Sequence, residues 1–107
     1  MANATHLVQL LLPLYDNEGN RISAKAFAQV RDELVQRFGG MTAHTRAPAS
    51  GLWQPDDAAQ TVHDELVIFE VMVDGIDTGW WTRYRTELEK RFRQQSLVVR
   101  AHPIATL

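Results

Sequence analysis

The chain contains no cysteine, which excludes disulfides, thiol catalysis and cysteine-based zinc sites. It has no positive excess either. The 11 Lys and Arg against 13 Asp and Glu leave a formal net charge of -2, so nucleic acid and anionic membranes have no electrostatic claim on it. The longest apolar segment near the start, Leu7 to Leu14, is broken by Gln9 and Pro13. It falls far short of the ~20 residues that span a bilayer, and it has neither a basic leader nor a small-residue cleavage site. A soluble, cytoplasmic protein is expected. Also missing are a glycine-rich phosphate loop, a Gly-x-Ser-x-Gly elbow, a His-Glu-x-x-His pair, internal repeats and linkers. With 107 residues, the chain is one domain, residues 1–107, with room for a single two-layer core.

What is present is organised around Asp64 to Asp74, the most β-prone run in the sequence, which ends in the turn pair Asp74-Gly75. In an extended chain Val67, Phe69, Val71 and Val73 project to one side. Leu66, Ile68 and Met72 project to the other, with Glu70 among them. A strand wetted on one face alternates apolar and polar residues, so both faces of this one are expected to be covered.

The flanking segments supply the rest of the sheet. His6 to Leu14 reads as a first strand, closed by Pro13 and the turn-rich Asp16 to Asn20. A helix then starts at Ser23, a capping residue, with Ile22 and Phe27 at the spacing of a hydrophobic staple. Phe27, Val30, Leu34 and Phe38 form its apolar stripe, and Gly39 stops it. Met41 to Arg46 has strand character. Ala47 to Gly51 and Pro55 to Ala59 read as loop and turn, with Trp53 between them, in a long irregular hairpin that rises into the central strand from about Thr61. Asp77 or Thr78 caps a second helix whose stripe is Trp81, Tyr84, Leu88 and Phe92. Leu97 to His102 is a last strand, stopped by Pro103. The order is β-α-β-β-α-β, and each helix has one apolar stripe. This predicts an α+β, ferredoxin-like sandwich: a four-stranded antiparallel sheet, spatial order 4-1-3-2, with both helices on one face.

Several short motifs are shared with a known family. They are Arg37-Phe38-Gly39-Gly40 with Thr42 entering the second strand, Gly51-Leu52-Trp53 before a polar turn, and Asp64-Glu65 ahead of the apolar strand. Tyr84 and Arg91-Phe92-Arg93-Gln94-Gln95-Ser96 before a Val-rich last strand complete the set. On these the chain resembles a family of small, functionally uncharacterised bacterial α+β proteins of the dimeric α+β barrel type. The resemblance implies a ferredoxin-like fold that dimerises through its sheets. It brings no assigned activity and no catalytic residues.

The chemistry is expected on the sheet face away from the helices. If Val67, Phe69, Val71 and Val73 meet the helices, Glu70 lies on the open face. The preferred phases of the other strands put Gln9, His44, Arg46, Arg100 and His102 beside it. Such a set can hold a small anion or move a proton; it can equally form ordinary ion pairs and hydrogen bonds across a dimer interface. Trp53, in a loop-like segment, is the candidate aromatic lining of a pocket, while Trp81 belongs to the core stripe and Trp80 lies off it. His63 and Glu65 share one side of a strand, but two ligands do not make a metal site, and neither metal nor cofactor is expected. The arginines of the second helix, interleaved with Glu87 and Glu89, read as a solvated face.

Three functions compete on these grounds. One is a homodimer, structural or binding a small molecule between its sheets, with Leu66, Ile68 and Met72 in the interface. Another is a cofactor-independent enzyme of oxygenase or isomerase type, with His44 or His102 as base. The third is a protein-interaction module that uses an exposed edge strand.

Overall fold

The computed structural model describes residues 4–46 and 66–107. The elements are β1 (His6–Pro13), α1 (Ala24–Phe38), β2 (Thr42–Arg46), β3 (Leu66–Val73), α2 (Thr78–Arg91) and β4 (Val98–Pro103). All neighbouring strands are antiparallel and the sheet order is β2-β3-β1-β4. This is the expected α+β, ferredoxin-like arrangement, with the β-rich run in an interior position beside β1. Trp53, His63, Glu65 and the intervening turns lie outside the described residues.

Local chemistry accounts for the helix limits. The Ser23 hydroxyl accepts the Ala26 N–H at 3.3 Å and starts α1. Gly39 ends it at φ +86°, a left-handed conformation that residues with a Cβ rarely adopt, and donates its N–H to the Val35 carbonyl at 2.8 Å. Asp77 caps α2 by accepting the Trp80 N–H at 3.0 Å. One strand begins later than its sequence suggests. Leu97 turns into the core instead of opening β4, and its N–H donates to the Glu89 carboxylate at 3.0 Å.

The core lies between the helices and one face of the sheet. Val8, Leu10 and Leu12 of β1 alternate into it, as do Phe69, Val71 and Val73 of β3. The predicted helix stripes meet them: Val30 and Leu34 from α1, and Trp81, Tyr84 and Leu88 from α2 with Phe92 at its C-cap. Phe27 sits edge-on to both Phe69 and Phe92, with centroids 6.4 and 5.2 Å apart, and so ties β3 to both helices. Trp80, off the stripe, stacks on Tyr84 at 4.8 Å, and the Arg37 guanidinium lies 4.1 Å from its centroid.

The arginines at the end of α2 are not merely a solvated face. Arg91 forms a bidentate pair with Glu33 of α1, at 2.8 and 2.9 Å, while the Tyr84 hydroxyl donates to the same carboxylate at 2.7 Å. Arg93, at φ +52°, donates to the buried Asp16 carboxylate at 2.8 Å, and that carboxylate also accepts the Glu18 and Asn20 N–H groups. Burial alone would raise the pKa of Glu33, but the hydrogen bonds from Arg91 and Tyr84 outweigh it and hold the carboxyl below its ordinary value. A carboxyl whose pKa is depressed on folding stabilises the fold above its unfolded pKa and loses that contribution as pH falls through the folded one. Stability is therefore expected to decline on acidification below pH 4.5, the ordinary value of this carboxyl. Glu33→Gln should make the decline shallower. Urea midpoints measured between pH 3 and 6 test this (a pH range set by ordinary carboxylate titration), and an unchanged slope in the variant would contradict it.

Candidate functional site: the open face of the sheet

The register fixes what each strand presents away from the helices. One row across the sheet reads His44, Ile68, Leu11 and Val98, and the next reads Thr42, Glu70, Gln9 and Arg100. Beyond that lie Met72, Leu7 and His102; on the other side lie Leu66 and Pro13. Glu70, His44, Arg100 and His102 thus share the face that strand alternation assigned to them, as do Leu66, Ile68 and Met72, while Arg46 is placed only by its backbone pairing with Leu66.

Four side chains, one from each strand, form a continuous polar chain. His44 Nε2 lies 3.0 Å from Glu70 Oε1, the Gln9 amide donates to Glu70 Oε2 at 2.6 Å, and Arg100 Nε donates to Gln9 Oε1 at 2.8 Å. Gln9 is the link that the sequence reading placed on this face without giving it a role. Its amide can serve both neighbours only one way round, with nitrogen toward the carboxylate and oxygen toward the guanidinium. A signal for it exists in the sequence: Gln9 is the lone polar residue inside an apolar strand, as Glu70 nearly is in its own.

This arrangement sets the charge states. The Gln9 hydrogen bond chiefly lowers the Glu70 pKa; partial burial works against it, and the His44 hydrogen bond adds to the lowering. Glu70 is ionised at neutral pH and only accepts, so neutral His44 carries its proton on Nε2 and turns the Nδ1 lone pair away from the carboxylate. The Glu70 side chain is 19% exposed and that of His44 52%, so the imidazole is reachable and its orienting carboxylate is sheltered.

The structure does not gather every candidate at one point. His44 is on edge strand β2, while Arg100 and His102 are on the opposite edge strand, β4. Three strand spacings, about 14 Å, separate these edges, so one small anion cannot touch His44 and Arg100 of the same chain. His102 lies a row beyond Arg100, opposite Leu7. A cavity of about 570 Å³ opens where Leu7, Met72, Glu70 and Thr42 meet the Phe38-Gly39-Gly40-Met41 turn. A second, of about 560 Å³, lies round the corner and is bordered by Met72, Arg37, Trp80 and Asp74. Apolar neighbours bracket the polar chain. Met72 is 58% exposed and Val98 51%, whereas Ile68 is only 6% exposed.

Among the described residues no three His, Asp or Glu side chains come together as metal ligands. No described helix is long and apolar enough to cross a membrane. No family model, curated protein or solved structure matches the chain.

Proposed function

We propose that the protein is a homodimer whose open sheet faces pack together and hold a small anionic molecule against the polar chain between them. The observation that carries this reading is the His44–Glu70–Gln9–Arg100 chain, flanked by exposed apolar residues on a face that no described helix covers. Face-to-face sheets align their strands to within about 30°. A twofold axis parallel to the strands then lays the β2 edge of one protomer over the β4 edge of its partner. The imidazole edge of one chain meets the guanidinium edge of the other, which is the complementarity that an isologous contact requires. It also brings His44 near Arg100 of the partner subunit, which a single chain cannot do. Arg100 spends Nε on Gln9, leaving its terminal nitrogens to take a carboxylate or phosphate. On the same reading the chain is one of the small bacterial proteins that its motifs resemble, and its ligand is a soluble cytoplasmic metabolite.

A second reading is favoured by one observation. A sheltered carboxylate orienting an exposed imidazole is the arrangement of a general base. A ligand held by Arg100 of one chain with an acidic C–H near His44 Nδ1 of the other would suit cofactor-independent isomerase or oxygenase chemistry.

Thermal unfolding with inorganic phosphate, acetate and succinate, each at up to 50 mM (a range set by weak anion binding, about 1 mM Kd and above), tests the anion site. At about fiftyfold excess over a Kd of about 1 mM, a ligand adds about 2.3 kcal/mol, which is on the order of 10 °C in a domain of this size. At least one anion should raise Tm, and Arg100→Ala should abolish the rise. The reading fails when no anion shifts the wild type, or when Arg100→Ala keeps the full shift.

A further inference from the structure

The outer edge of β4 is a second surface, separate from the open face and independent of whether that face dimerises. β4 pairs with β1 on one side and, among the described residues, with nothing on the other. One hydrogen bond shows which of its backbone groups look outward. The Ile104 N–H donates to the Thr5 carbonyl at 3.0 Å. The β1–β4 register is unbroken and backbone direction alternates along an antiparallel strand. Val98, Arg100 and His102 therefore bond to β1, while Leu97, Val99, Ala101 and Pro103 face away. Pro103 has no N–H to offer, and that of Leu97 is already given to Glu89. Val99 and Ala101 are left at the centre of the edge with outward donors and acceptors.

The side chains of the same two residues border a cavity of about 230 Å³ between β4 and α2, walled by Ile76, Thr78, Trp81 and Arg85. Arg85 adds an independent observation. Its Nε is buried and has no hydrogen-bond partner; the Glu89 carboxylate that it faces is 3.9 Å away, beyond hydrogen-bonding range. A buried donor without an acceptor is costly, and most such groups in folded proteins are satisfied.

We propose that the β4 edge binds an extended acidic segment of another protein, which adds to the sheet as a fifth strand. Backbone hydrogen bonds to Val99 and Ala101 hold the segment. One aliphatic side chain fills the cavity, and an Asp or Glu two positions along, on the same face, pairs with the Arg85 guanidinium, whose side chain is 43% exposed. Edge strands left open invite indiscriminate pairing. Here Pro103 and the Leu97–Glu89 bond restrict the open stretch to two residues, which makes the side-chain contacts decisive.

A fluorescein-labelled Thr-Val-Thr-Glu-Thr-Val-Thr peptide, with valines two positions either side of the glutamate on its face, and its Lys-for-Glu counterpart provide the test. Anisotropy should show saturable binding of the first, at least tenfold weaker binding of the second, and slower hydrogen exchange at the Val99 and Ala101 amides in the complex. Arg85→Gln should erase the preference for Glu over Lys. Ala101→Pro, which deletes an outward N–H and leaves the β1 ladder intact, should weaken both peptides at least tenfold. Unchanged exchange at millimolar peptide overturns the proposal, as does a Glu preference that survives in Arg85→Gln. Protection of these amides that rises with protein concentration, without peptide, also overturns it, since a second copy of the chain then occupies the edge.

Discussion

Phe69→Ala is expected to lower the unfolding free energy by about 3–5 kcal/mol. Phe69 is 5% exposed and sits in an interior strand, opposite Leu10 on β1 and Ala43 on β2. Its ring meets the edge of Phe27, which in turn meets Phe92, a side chain with no exposure at all. Removing the ring takes away a contact that joins sheet, α1 and α2 at once. The neighbours are held by their own strands and helices, so they cannot collapse fully into the space, and a cavity term adds to the lost transfer energy. Domains of this kind have only about 5–15 kcal/mol of total stability, so the variant should be close to unfolding. Urea unfolding reads the effect as a lower midpoint at constant slope. Val98→Ala, at a side chain 51% exposed, should cost less than about 0.5 kcal/mol. A loss below about 1 kcal/mol for Phe69→Ala would contradict the packing described.

Most of the architecture was legible because it rests on short-range signals. The Ser23 and Asp77 caps, the left-handed stop at Gly39 and the two helical stripes are all written within a turn or two of where they act. Strand phase was legible through its lone exceptions, Glu70 and Gln9, whose polarity marks the uncovered face. The ion pairs that join elements were not. Arg91 and Glu33 are 58 positions apart, and Arg93 and Asp16 are 77; no local periodicity connects such pairs, so these arginines resembled any solvated helix face. The separation of His44 from Arg100 was hidden for a related reason. Alternation says which face a side chain shares, but the distance across that face depends on strand order, which places these two residues on opposite edges. The unpartnered Nε of Arg85 depends on the same long-range packing. Ile68 shows the limit of face assignment alone: it shares the open face yet is 6% exposed, so it reports on the single chain as much as on an interface.

The wild-type protein is expected to sediment at twice its 12.2 kDa chain mass at micromolar concentration, and Met72→Asp at the chain mass. Met72 is the better probe than Ile68 because 58% of it is exposed in the single chain. Changing it should spare the core, where Ile68→Asp would bury a charge with or without a partner. Met72 lies opposite Leu7, one row from the Glu70–Gln9 link, so it sits within the apolar margin of the polar chain. Exposed apolar groups of this kind on adjacent strands are unusual in a monomer, and a second copy of the same face removes them from water. An aspartate there must be desolvated without a partner. A buried polar group left unpaired costs roughly 2–7 kcal/mol, a charge more, and symmetry imposes the cost on both chains. Since each 1.4 kcal/mol is a tenfold change, association should weaken by on the order of a hundredfold or more. Met72→Leu should leave the dimer intact, and circular dichroism should show both variants folded. Sedimentation equilibrium decides the matter directly. A wild-type chain that stays at monomer mass would remove the dimer, and with it the meeting of His44 and the partner's Arg100 on which the anion site depends.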